Sequence, residues 1–230
     1  MKMKLGSLSM KSLANGSYFV TGTDTDCGKT FVTSQLLQLA AETGKSSLGL
    51  KPIAAGGLED VLALQSASTV KLPKEAINPF YLSEPLSPHL AAAIDGVSLS
   101  VVDTITAIKP YLHKADICLL EGAGGIYVPI NAQETILDLM QALQLPVILV
   151  VGLRLGCLNH AQLSCQALKH AGLEIAGWVA TQVDQNMQCY QENIETLKQS
   201  LGIPMLAQFN FVDHSYQNTE QLRCVEVGFS

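Results

Sequence analysis

The sequence predicts an α/β domain built on a doubly wound, mainly parallel sheet flanked by helices. Short apolar runs alternate with helix-length segments along 230 residues, the order that makes parallel sheets with crossover helices. Several runs are apolar at successive positions, as in a sheet covered on both faces. The first run leads directly into Gly22-Thr23-Asp24-Thr25-Asp26-Cys27-Gly28-Lys29-Thr30, which has the strand, Gly-containing turn and helix start of a P-loop.

The elements follow in order. Tyr-Phe-Val-Thr at 18–21 is the first strand, and the segment after Gly-Lys-Thr, 31–43, is the first helix. Ser-Leu-Gly-Leu-Lys at 47–51 is the second strand, followed by a helix over 59–68 and another over 100–113. Asp-Ile-Cys-Leu-Leu-Glu at 116–121 and Val-Ile-Leu-Val-Val-Gly at 147–152 are strands flanking a helix over 134–143. Helices over 158–171 and 188–201 bracket the strand 175–180, and 204–209 is the last strand. In such sheets ligands bind beyond the carboxyl ends of the strands, so the residues ending each run carry the most weight.

Composition restricts the function classes. With 48% hydrophobic and 15% charged residues, the chain can bury a full core as one domain, expected over 17–230. A formal charge of -6 without a Lys/Arg run argues against nucleic acid or an anionic membrane as partner. No apolar stretch approaches the ~20 residues of a membrane span. Residues 1–16 contain three Lys but no continuous apolar region or small-residue cleavage site, and read as a frayed extension rather than a signal peptide. The six Cys show no CxxC pair, which suits reduced thiols in a cytoplasmic protein.

The loop at 22–30 is the main source of chemistry. A Gly-containing turn that opens a helix leaves backbone N–H groups aimed at one spot, where the helix dipole adds positive potential. Lys29 would reach the β- and γ-phosphates, and the Thr30 hydroxyl would bind Mg²⁺. The usual spacing puts the first Gly at position 23, whereas here it is Gly22. Lys51 and Glu121 end neighbouring runs, so both rims should face this loop. Glu121 suits Mg²⁺, which takes one or two carboxylates beside phosphate oxygens, and the Gly-Ala-Gly-Gly after it leaves room for a ligand. Asp60 could cap its own helix or be a second metal carboxylate.

Six segments in order, 18–30, Lys-Pro-Ile-Ala at 51–54, Asp-Val-Leu-Ala-Leu-Gln at 60–65, Glu-Pro-Leu-Ser-Pro-His at 84–89, Glu-Gly-Ala-Gly-Gly at 121–125 and Leu-Gly-Cys-Leu-Asn-His-Ala at 155–161, resemble the dethiobiotin synthetases, members of the P-loop NTPase type. The resemblance implies an ATP- and Mg²⁺-dependent ligase that joins CO₂ to 7,8-diaminononanoate, closing the ureido ring of dethiobiotin. It implies Lys51 as catalytic, with Lys29 beside it, and Thr30, Asp60 and Glu121 as metal positions. Nucleotide contacts would run over Asp26, Cys27, Gly28, Lys29, Thr30 and Phe31, then Glu121, Gly122, Ala123 and Gly124. Thr181, Gln182 and Asn210 would meet the base. The family is dimeric, so substrate would touch Thr25, Lys51 and position 55 of one chain and Leu155, Gly156, Asn159 and Tyr190 of the other.

The chain departs from that pattern in places. Ala55 stands where the family commonly has a substrate-touching Ser, so one hydroxyl contact is missing, and the stretch from Gly57 to Asp60 is short. Thr181-Gln182 replaces a frequent Asn-Asp, and Asn210 replaces a Pro. A ParA/MinD-like dimerising switch would instead want a second Lys near the loop start, where this chain has Thr23-Asp24, and a membrane-targeting segment. A cobalamin-pathway amidase would need a glutaminase domain, for which there is no room.

Overall fold

The computed structural model describes residues 13–211. Strand β1 (Gly16–Gly22) runs into helix α1 (Lys29–Glu42), and β2 (Ser47–Leu50) follows. A small excursion comes next: β3 (Ile53–Ala55), α2 (Glu59–Ala67), α3 (Lys74–Ile77), β4 (Phe80–Leu82), α4 (Pro88–Asp95) and α5 (Val101–Ile108). The chain then alternates regularly through β5 (Ile117–Gly125), α6 (Ile136–Leu143), β6 (Val147–Leu153), α7 (Cys157–His170), β7 (Ile175–Gln182), α8 (Tyr190–Leu201) and β8 (Met205–Phe209).

The main sheet has six strands in the order β2-β5-β1-β6-β7-β8, with every neighbouring pair parallel. The expected architecture is therefore present. Successive apolar residues serve opposite faces, as the strand period of two requires. Phe19, Leu120, Leu149 and Val151 enter one buried cluster with residues of α5 to α8. Tyr18, Val20, Leu119, Ile148 and Val150 enter the other, against Val32, Leu36 and Leu37 of α1. Each such side chain withdrawn from water stabilises the fold by roughly 1.5–3 kcal/mol. The central strand β1 lies between β5 and β6, which makes its carboxyl end the place where the winding reverses and a ligand crevice opens.

Some boundaries differ from the sequence reading, each for a local reason. The helix expected over 100–113 stops at Ile108 and tightens into a 3₁₀ turn, Lys109–Tyr111, because Pro110 has no N–H to continue an α-helix. The strand expected at 116–121 runs on to Gly125, so Glu121 sits inside a strand rather than at its end. The pairing of β1 with β5 jumps from Val20↔Glu121 to Gly22↔Gly125, and this bulge lets the strand continue past the phosphate loop. The short pair β3–β4, and α3 and α4, were not foreseen, since three or four residues carry too little periodicity to read. Part of the expected extension already joins the domain: Leu13 is buried among the residues of β1 and α1, Tyr18 Oη donates to Ala14 O at 2.9 Å, and β1 begins at Gly16. The remainder of the expected extension and Cys224 lie outside the described residues.

Candidate active site

The phosphate loop forms as the motif requires. Gly28 adopts a left-handed φ of 89° and caps α1 without a side-chain hydrogen bond, leaving the first-turn N–H groups facing the crevice. Its lack of a side chain also matters, because a Cβ there would come within 2.8 Å of Thr181 Cγ2. The displaced first glycine has a steric cause: a Cβ on Gly22 would sit 2.3 Å from Cys27 Sγ. The Cys27 side chain is wholly buried beneath the loop, so only its backbone can serve a ligand. Cys118, Cys157 and Cys165 are likewise buried and unpaired, while Cys189 is exposed; burial pushes the Cys118 thiol up to about 12.

Beyond the loop, side chains from the end of β2, from within β5 and from the start of α2 converge. Lys51 leaves β2 and reaches Glu121 Oε1 on β5 and Asp60 Oδ2 in the first turn of α2, each at 2.6 Å. Thr30 Oγ1 donates to the same Glu121 oxygen at 2.7 Å. The other oxygen, Oε2, is buried without a hydrogen-bond partner. Such an orphaned acceptor is costly unless a cation or donor arrives. Burial works against the charge on Lys51, but Glu121 and Asp60 outweigh it and hold the ammonium above its ordinary value. Burial would likewise raise Asp60, yet Lys51, with smaller help from Thr30 and Lys29, outweighs it and holds the carboxyl below its ordinary value. Lys29 is also buried, and its ammonium donates to Asp24 O at 2.9 Å.

These groups line a cavity of about 900 Å³ that contains Thr25, Asp26, Gly28, Lys29, Thr30, Phe31, Lys51, Ala55, Asp60, Glu121, Ala123 and Gly124. Most residues singled out in the sequence thus meet in one place. An adjoining cavity of about 250 Å³ shares Asp26, Gly28 and Phe31 and adds Thr181, Gln182 and Asn210. Gln182 is not free to reach a base, because its Oε1 accepts from Phe211 N at 3.1 Å and its Nε2 donates to Asp184 O at 3.2 Å. The Thr181 hydroxyl is buried and unpartnered.

Gly122 lines neither cavity; a Cβ there would strike the Phe19 ring at 2.9 Å, so this glycine serves packing. Leu155, Gly156, Asn159 and Tyr190 also lie outside both cavities of their own chain. Leu155 is 97% exposed, and Tyr190 Oη accepts from Gln208 at 3.3 Å. The wall the sequence reading left without a role is Pro85, Leu86, Ser87 and Pro88. It leans on Gly56, where a Cβ would lie 2.5 Å from Pro85 Cβ. The Pro-x-Ser-Pro pattern of that segment was the available signal, since one proline restricts the bend at Pro85 and the other opens α4 at Pro88.

Sequence comparisons meet this geometry. The protein from Cellvibrio japonicus named "ATP-dependent dethiobiotin synthetase BioD" is 46% identical over 202 residues, spanning 84% of this chain and 89% of that one. The chain belongs to the dethiobiotin synthetase family. The Nitrosospira multiformis member of that name is 47% identical over 193 residues, covering 82% of this chain and 85% of its own. A broader family described as "AAA domain" matches residues 16–218. Among solved structures, the septum site-determining protein MinD complexed with Mg-ADP from Pyrococcus horikoshii superposes with a TM-score of 0.51. The match covers 86% of this chain and 82% of that one at 17% identity, a likeness of fold alone. This chain thus shares with MinD the parallel-sheet fold described above.

Proposed function

We propose that the protein is an ATP-dependent dethiobiotin synthetase, a ligase that forms C–N bonds from 7,8-diaminononanoate, CO₂ and ATP. Family membership supports the activity, and one local observation carries the assignment of residues: Lys51 Nζ stands 2.6 Å from buried Glu121 in the cavity that also contains Lys29 and Thr30. One substrate amine adds to CO₂ as a carbamate, a carbamate oxygen attacks the γ-phosphorus with loss of ADP, and the second amine displaces phosphate to close the ring. Each step moves negative charge. Lys51, kept protonated by its carboxylates, holds the carbamate, while Lys29 leaves its loop carbonyl for the transferring phosphoryl group. Preorganised cations of this kind lower such barriers most.

The oxygen set suits Mg²⁺: Thr30 Oγ1, Glu121 with its unpartnered Oε2, and Asp60 are the hard donors that ion prefers. When bound, Mg²⁺ would neutralise charge on the phosphate oxygens. Ala55 and the Pro85–Pro88 wall line the space left for the diamine. The exposed Leu155, with Gly156, Asn159 and Tyr190, would complete that space from a second protomer, making the active unit a cytoplasmic homodimer. Among the described residues no helix is long and apolar enough to cross a membrane.

The dimerising-switch reading finds no support at the loop, where Asp24 carries a carboxylate paired with Arg154 instead of a second Lys. Incubating the protein with diaminononanoate, bicarbonate, ATP and Mg²⁺ should give dethiobiotin by mass spectrometry. ATP hydrolysis that ignores the diamine would overturn the reading.

A further inference from the structure

Asp24 is joined to three parts of the loop's surroundings. Its Oδ1 accepts from Thr25 N at 2.8 Å, its carbonyl accepts from Lys29 Nζ at 2.9 Å, and its Oδ2 pairs with Arg154 Nη2 just beyond β6. The loop also rests on β6 elsewhere. Thr23 N donates to Val150 O at 3.0 Å, and a Cβ on Gly152 would lie 2.9 Å from Cys27 Cα. Val150 and Gly152 fix the loop's base, whereas Arg154 holds Asp24, whose carboxylate accepts from Thr25 N and whose backbone carbonyl accepts from Lys29 Nζ. Arg154 lines neither cavity.

We infer that Arg154 is a positioning residue for nucleotide binding, acting through Asp24. This inference rests on the ATP-dependent reading above. Two physical effects support it. The Asp24 carboxylate lines a neighbouring cavity with Thr25, and Thr25 in turn lines the larger one, so an uncompensated charge on Asp24 would repel polyphosphate over that short distance; Arg154 supplies the counter-charge. The same pair fixes the Asp24 backbone, and with it the perch of Lys29 and the amide of Thr25, so the loop is preformed when nucleotide arrives. The side chains are 37% and 41% exposed, so the pair adds little to global stability. Its effect should fall on the nucleotide.

The test compares Arg154→Ala, Arg154→Lys, Asp24→Ala and the double alanine variant of the full chain. Mg-ADP affinity would be read by calorimetry, kcat and KM for ATP by dethiobiotin formation, and Tm by thermal melting. Arg154→Ala is expected to weaken Mg-ADP about tenfold and raise the ATP KM in parallel, with a smaller change in kcat. Its Tm should stay within about 2 °C of wild type. Arg154→Lys should recover most of the affinity, and the double variant should bind no worse than the weaker single variant, as coupled partners require. Mg-ADP affinity within twofold of wild type in Arg154→Ala, or strictly additive losses in the double variant, would overturn the inference. A wild-type protein that binds Mg-ADP but makes no dethiobiotin would count against the ligase reading instead, while the binding measurements would still judge Arg154.

Discussion

Lys51 Nζ and Glu121 Oε1 are 2.6 Å apart, and the Glu121 side chain is wholly buried while that of Lys51 is 7% exposed. A lysine that ends an apolar run at a sheet rim is ordinarily solvated, and its removal then costs turnover more than stability. Burial changes that expectation. Removing one member of a buried ion pair leaves the other uncompensated, at a cost of ~3–5 kcal/mol.

Lys51→Ala should therefore lose both properties. Turnover is expected to fall at least ~10²–10³-fold, the usual cost of one preorganised charge contact. The melting temperature should fall by roughly 6–20 °C for a domain of this size. Calorimetry beside a dethiobiotin assay checks both, and near-normal turnover in a folded Lys51→Ala protein would remove its catalytic assignment.

Glu121→Gln tests the orphaned Oε2. The amide keeps the shape but brings a neutral oxygen and an N–H donor to a position where only acceptors suit Mg²⁺. Half-saturating Mg²⁺ in the assay should rise about tenfold or more. An unchanged Mg²⁺ requirement would place the metal elsewhere.

The charges of this cluster also set a pH window. Lys51 is raised from 10.5, so its contribution to stability is complete below that pH and is lost as pH rises through the still higher folded value. Asp60 is lowered from 3.8, so its contribution is present above that pH and is lost on acidification through the lower folded value. Between about pH 5 and 9 Lys51 and Asp60 should stay charged, and any alkaline limb of kcat/KM there should belong to the substrate amines. Lys51→Arg profiles check this: if the limb moves when the lysine is replaced, Lys51 itself titrates in that range.

Mixed dimers test the second protomer. Lys51→Ala and Asn159→Ala chains, each inactive alone, should regain activity at one of two shared sites when co-expressed. A fully active monomer in sedimentation would dispose of this arrangement.

The fold and the phosphate site were legible because their signals are local. Gly28-Lys29-Thr30 must open a helix, and each apolar run is long enough to span a sheet covered on both faces. Asp60 was ambiguous because nothing in sequence places the first turn of α2 beside Lys51; only the packed structure brings the pair to 2.6 Å. The Asp24–Arg154 pair spans 130 positions, and no periodicity encodes that. A glycine beside a ligand and a glycine beside a Phe ring look alike in sequence, and at Gly122 only the structure shows the Phe19 ring.

The last prediction concerns the base. Discrimination among bases comes from side chains that offer a donor and an acceptor together, because the wrong base then leaves buried polar groups unpaired. In the smaller cavity Gln182 has both ends of its amide tied to the backbone at Phe211 and Asp184, and Thr181 offers a single hydroxyl. Asn210 also lines this cavity. The phosphate contacts of Lys29 and Thr30 ignore the base. ATP should therefore work, and GTP or CTP should support turnover within about tenfold, since losing one good pairing forfeits only ~1–3 kcal/mol of discrimination. Measuring kcat/KM for the three nucleotides under one Mg²⁺ concentration decides it. An ATP preference of several thousandfold would mean that Asn210 or the backbone reads adenine, and an Asn210→Ala variant that lost this preference would identify which.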